Sequence, residues 1–130
     1  MSYQGHCICG RIRVLLQEQP PSSLVCHCRN CSRSGGGSSI NYILPMGEVT
    51  IQDPHTSLKV YEDANTDSGN HIQRKFCSNC GSPIATETPS FPGMVIVKAS
   101  LFDVISLPNQ EVFTARRQAW KTPIEGAKQA

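Results

Sequence analysis

Aromatic residues are scarce in this sequence, at 6% of the chain, and charged residues reach only 17%. The first shortage leaves a modest supply of core, drawn mainly from aliphatic side chains within an apolar share of 38%. The second comes with near balance, twelve Lys and Arg against ten Asp and Glu for a formal charge of +2. No basic stripe of the kind that tracks a phosphate backbone is present, so no nucleic-acid partner is expected. No apolar run approaches the roughly 18 residues of a membrane span; the longest clean one is "MVIV" at 94–97. The opening "MSYQGHCICG" has no apolar h-region and no cleavage pattern, so a secretory signal is not expected. A reducing, cytoplasmic setting follows as the default. No repeat or low-complexity tract divides the 130 residues, and that length suits a single domain over 1–130. A globule of this size buries roughly two thirds of the surface that its unfolded chain exposes.

Turn formers and cysteine are plentiful instead: ten Gly, nine Pro and seven Cys. The turn residues bound short apolar segments with the period of strands. In "RIRVLLQ", Ile12, Val14 and Leu16 share one face of an extended segment. "HIQRKF" sets Ile72, Arg74 and Phe76 against His71, Gln73 and Lys75. "NYIL" (41–44), "VTI" (49–51), "LKVY" (58–61), "PIATE" (83–87) and "MVIVKA" (94–99) read the same way. "SRSGGGSS" at 32–39 reads as a flexible loop. Near the C-terminus Val112, Ala115, Arg116, Ala119 and Trp120 follow helical spacing, while Phe113 and Thr114 fit a strand equally well. A long helix is hard to place anywhere, so the fold class is mainly β.

An odd number of cysteines cannot all pair as disulfides. In a reducing compartment, clustered cysteines read as metal ligands. They come as Cys7-x-Cys9, Cys26-x-Cys28-x-x-Cys31 and Cys77-x-x-Cys80. "CSNCGS" is a zinc-knuckle half-site, in which the turn aims both sulfurs at one point. "CICG" can supply the other half, because residues i and i+2 of an extended segment face the same way. Two plus two closes a tetrahedral, structural site. The triplet stands apart, and three protein ligands with an open fourth position is the arrangement of a catalytic zinc. The alternatives are a histidine (His6, His55 or His71) arriving to close the triplet, and a redox role with one thiol free. His27 alternates away from Cys26 and Cys28 and is not expected on the same ion.

"GHCICG", "CHCRNCSRSG", "DSGN" and "FCSNCGSPI", in this order and spacing, resemble the glutathione-dependent formaldehyde-activating enzyme family, to which centromere protein V also belongs. The resemblance runs from about Tyr3 to Trp120, and "RRQAW" is similar to the tail of some members. It implies a β-tent fold of several small antiparallel sheets carrying two zinc ions per chain. Cys7, Cys9, Cys77 and Cys80 would hold the structural zinc, and Cys26, Cys28 and Cys31 the catalytic one. It implies a carbon–sulfur lyase that joins glutathione and formaldehyde to S-hydroxymethylglutathione, or acts on a related thiol adduct. Many members carry apolar residues after the triplet, where this chain has "GGGSS"; a more flexible loop is expected there.

Cysteines bound to zinc are deprotonated, so four thiolates on one ion give −2 and three on another give −1. Added to the formal +2, the loaded chain sits near −1. A soft three-thiolate zinc suits sulfur as its fourth ligand. The glutathione thiol would then bind as an oriented thiolate, the alternative being zinc that polarises the aldehyde oxygen. Candidate partners for the glutathione carboxylates are Arg29, Arg33, Arg74 and Lys98, each of which a solvated surface charge would also explain. Ser68, Gly69 and Asn70 of "DSGN", and Ser39 and Asn41 after the glycine run, are candidates for peptide-like hydrogen bonds. His27 is a candidate acid or base, and Trp120 reads as core or edge packing. Two other function classes stay open: a non-catalytic thiol carrier and a zinc-stabilised interaction module.

Overall fold

The computed structural model describes residues 3–130. Its strands are β1 (Tyr3–His6), β2 (Arg13–Leu16), β3 (Ser23–Cys26), β4 (Ser39–Pro45), β5 (Val49–Gln52), β6 (Leu58–Asp63), β7 (Ile72–Cys77), β8 (Pro83–Glu87), β9 (Met94–Lys98), β10 (Pro108–Val112) and β11 (Lys128–Gln129), with one short helix, α1 (Arg29–Gly35), between β3 and β4. They form a three-stranded sheet, β1-β2-β5, and an eight-stranded sheet, β11-β10-β3-β4-β9-β8-β7-β6. Pairing is antiparallel except at β10, which runs parallel to both β3 and β11. The mainly β expectation holds.

Alternation decides which side of each strand is buried. Ile12 and Val14 are fully buried and Leu16 is nearly so, as their shared phase requires. Burying each is worth roughly 1.5–3 kcal/mol. They join Tyr42, Val95, Val97 and Ala85 in one core cluster. In the eight-stranded sheet Tyr42 pairs with Val97, and Val97 with Ala85. Their neighbours Asn41, Ile43, Ile96, Lys98 and Thr86 therefore face the opposite side. That opposite face carries the site.

Several local readings are corrected. "SRSGGGSS" is not all loop: α1 runs through Gly35, and β4 begins at Ser39. Cys28 caps the helix, its sulfur accepting from the Cys31 N–H at 3.3 Å. Gly36 then ends it in the left-handed conformation, φ 78°, which costs glycine little. The alternation of "HIQRKF" holds for Ile72 and Arg74 but breaks before Phe76, where the register with β8 shifts. The C-terminal segment is strand to Val112 and then a single 3₁₀ turn over Thr114–Arg116. Trp120 is not core; it is 78% exposed with the Lys121 Nζ 5.2 Å from its ring. No helix among the described residues is long and apolar enough to cross a membrane.

Candidate metal centres and the cavity beside them

The seven cysteines fall into two groups in space, divided as their spacing suggests. The sulfurs of Cys7, Cys9, Cys77 and Cys80 all lie within 4.8 Å of one another. Cys7 and Cys9 are 3.6 Å apart, and Cys9 and Cys77 3.7 Å. Four sulfurs at about 2.3 Å from a tetrahedral zinc would stand about 3.8 Å apart, so the donor set fits that ion. Gly10 and Gly81 each follow a ligand pair with φ near 80° and return an N–H to the first cysteine's carbonyl, Cys7 and Cys77. Such turns aim both sulfurs one way, so "CICG" delivers its pair from a turn after β1 and not from the extended segment expected. The Ile12 N–H points at Cys7 Sγ, and the Ile8 N–H donates to Ser82 Oγ at 3.0 Å. The Ser82 hydroxyl and N–H outweigh the cost of burial and hold the Cys80 thiol down at about 5.

The sulfurs of Cys26, Cys28 and Cys31 form the second group, all within 4.8 Å of one another. They come from the end of β3, the cap of α1 and its first turn. Among the described residues no histidine or carboxylate joins them at that distance. His6 and His71 are engaged elsewhere, with the Cys7 carbonyl and with Glu62. His55 is exposed. The Cys26 and Cys28 thiols, both donating to Cys31, hold its pKa at about 2 against the cost of burial, with Lys98 and Ser39 helping. The same contacts and burial push the Cys26 and Cys28 thiols up, so the three sulfurs without a metal favour a single shared negative charge.

These three cysteines line a cavity of about 290 Å³ on the non-core face of the large sheet, which none of the other four cysteines lines. Sheet register assembles it. Leu24, Asn41 and Lys98 stand opposite one another across β3, β4 and β9. One step along, Ile43, Ile96, Thr86 and Arg74 do the same across β4, β9, β8 and β7. Lys98 is buried, and its Nζ donates to Asn41 Oδ1 at 3.1 Å. Burial pushes its pKa down, while the Cys31 sulfur works the other way. Burial also works against the charge on Arg74, but Asp63, at 2.7 Å from its Nε, and the Cys31 sulfur outweigh it.

The candidate site residues named from the sequence separate cleanly. Asn41, Ser68, Arg74 and Lys98 line the cavity. Ser39 sits buried beneath Asn41, accepting from its Nδ2 at 3.0 Å. Arg33 is exposed and does not reach the cavity. Arg29 turns away to the Arg116 carbonyl at 2.6 Å. Gly69 and Asn70 do not line it either; Asn70 instead donates to Ser90 Oγ at 2.5 Å. The residue of "DSGN" that braces the site is Asp67, which accepts from the Arg29 N–H at the start of α1 and from Arg116, both at 3.1 Å. His27 points away, its Nε2 2.7 Å from the buried Glu111 carboxylate. Missed altogether was Thr86, buried in the cavity wall, whose Oγ1 has no hydrogen-bond partner among the described residues. Leaving such a hydroxyl unpaired costs roughly 1–3 kcal/mol. "PIATE" offered no local signal for it beyond its phase.

Residues 2–120 match the family profile described as glutathione-dependent formaldehyde-activating enzyme. The chain belongs to that family. It is 32% identical over 108 residues to a Halomonas elongata protein named "Putative glutathione-dependent formaldehyde-activating enzyme", covering 79% of this chain and 67% of the relative. Its fold is similar to the crystal structure of a Rhodobacter sphaeroides protein, with a TM-score of 0.62 at 19% identity, over 79% of this chain and 90% of the other. That likeness concerns fold alone. In this member of the glutathione-dependent formaldehyde-activating enzyme family, both cysteine groups could hold a metal ion, and thiolate donors suit a soft one.

Proposed function

We propose that the protein is a zinc-dependent carbon–sulfur lyase that joins glutathione to formaldehyde, or acts on a related thiol adduct, at the Cys26, Cys28 and Cys31 cluster. Cys7, Cys9, Cys77 and Cys80 hold a structural zinc in this reading. The observation that carries it is that the three-cysteine group opens onto the 290 Å³ cavity while the four-cysteine group does not. Zinc bound by three thiolates supplies a soft Lewis acid that prefers sulfur and favours a substrate thiol in its deprotonated form.

The chain's own residues do the rest. Lys98, fixed by Asn41, sets a buried positive charge beside the sulfurs and favours anionic sulfur or oxygen there. Arg74, held by Asp63, adds a second cation on the same wall and favours an anionic ligand at the cavity. Asp67 and Asn30 clamp the 64–71 segment against α1, with Asn30 donating to Asp63 Oδ2 and to the Asn65 carbonyl, both at 2.7 Å. That clamp keeps Ser68 at the cavity and limits the entry of water.

The test is a calorimetric titration of glutathione into reduced, zinc-loaded protein, with S-methylglutathione as control. Saturable binding that needs the free thiol is the expected result. Equal binding of the methylated compound would remove the thiolate as the fourth ligand, and no binding would remove glutathione as the substrate.

A further inference from the structure

The cavity is larger and more apolar than formaldehyde needs. Formaldehyde is a single carbon and its oxygen, whereas about 290 Å³ is room for roughly ten non-hydrogen atoms at about 30 Å³ each. Glutathione has about twenty, so the tripeptide cannot enter whole; only its thiol-bearing arm fits inside. The remaining volume is walled by Leu24, Ile43, Ile72, Ile96 and Val112. These come from five different strands, β3, β4, β7, β9 and β10, so the apolar lining is a property of the sheet face. Set into that face are four polar side chains, of which Asn41 and Arg74 are taken up by Lys98 and Asp63; the other two are the unpartnered, 96% buried Thr86 hydroxyl opposite Ile96, and the Lys98 ammonium one alternation further along β9. A ligand matching all of this has sulfur at one end, one oxygen beside it, and an aliphatic body.

We infer that the cavity takes the hemithioacetal of a short aliphatic aldehyde, on the order of four to six carbons. Its sulfur meets Cys26, Cys28 and Cys31, its carbinol oxygen faces Lys98 and Thr86, and its alkyl chain packs among the five aliphatic residues. This deepens the lyase reading and rests on it for the reaction. The thiolate sulfur attacks the carbonyl carbon, forming the C–S bond as the C=O π pair moves to oxygen. The oxygen takes up one proton, equal to the one the thiol gave up, so the step needs no oxidant or other reactant. Run backwards, the C–S bond breaks and aldehyde and thiol are released.

Two measurements on the zinc-loaded protein test it. In the first, exchange NMR gives kcat/KM with glutathione and formaldehyde, propanal, butanal or pentanal, each corrected for the spontaneous reaction. Each added methylene should raise kcat/KM about threefold to fourfold. Thr86→Val, which keeps the shape and removes the hydroxyl, should lower every value by about tenfold and leave the rise per methylene intact. In the second, which needs no turnover, 1-pentanol but not methanol should shift the methyl resonances of Ile43, Ile72 and Ile96. Turnover of formaldehyde with no gain along the series, or methyls that pentanol leaves unmoved, overturns the aliphatic assignment and leaves the lyase reading standing. Methyls that shift with no aldehyde turned over overturn the lyase reading, and the hemithioacetal with it.

Discussion

Lys98 donates to the side chain of Asn41, its direct cross-strand partner, over 3.1 Å. Asn41 in turn donates to Ser39 and to the Leu24 carbonyl. A buried lysine amine is thus fixed in place by a short chain of neutral groups, close enough to the Cys31 sulfur to feel its charge. Isolated burial of a lysine is costly, and no carboxylate forms an ion pair with this one among the described residues. Its compensation comes from the cysteine cluster, whose sulfurs favour the charged amine.

Lys98→Met therefore separates binding from folding. The substitution keeps the length of the side chain and removes the charge. Glutathione binding should weaken about 10- to 100-fold, the range expected for one hydrogen bond to a charged group. Thermal stability should hold or rise, because a desolvated charge is gone. Calorimetry and a melting curve on the same sample read both effects, and unchanged affinity would remove Lys98 from the site.

The two cysteine groups should respond differently to serine. Cys77→Ser breaks a closed tetrahedral set, and a structural zinc contributes on the order of 10 kcal/mol, comparable to a whole domain's stability. That variant should lose its cooperative unfolding transition. Cys28→Ser should stay folded and lose thiol binding, since serine still caps α1 in place of the Cys28 sulfur. If Cys28→Ser proves the more destabilising of the two, the structural and catalytic assignments are reversed.

Glu111 sets a pH dependence. Burial pushes its carboxyl up, but the Ile124 N–H, His27, Gln129 and Arg117 outweigh it and hold the pKa at about 2. A carboxyl lowered in the folded state stabilises the fold above its ordinary range, and that contribution fades as pH falls toward 2. Glu111→Gln should cost roughly 1–3 kcal/mol near neutral pH. The gap from wild type should narrow as the pH is lowered through about 4. Melting curves of both proteins across this range check it; a gap that stays constant would mean that the carboxylate charge is not what matters.

Gly5 is demanded by a close approach. A Cβ there would stand 2.6 Å from the Leu101 carbonyl oxygen, a backbone atom that cannot swing aside. Gly5→Ala should destabilise by about 1–3 kcal/mol through this overpacking. Gly47→Ala, where nothing lies within 4 Å, is the control and should be near neutral.

The sequence by itself determined the strands whose alternation is strong, such as Ile12, Val14 and Leu16, because period-two patterning is local. It also determined the division of the cysteines, because the C-x-x-C and C-x-C pairs are each followed by a glycine and each close as a local turn that aims both sulfurs one way. The tertiary structure alone decided the register of the large sheet. Asn41 and Lys98 are separated by 57 residues, Cys26 meets Val112 across a parallel pair, and His27 finds Glu111 84 residues away. No short window of sequence contains those relationships. They arise because each strand must bury one face in the core, and that choice turns the other face, with Thr86, Lys98 and Arg74, toward the cysteine triplet.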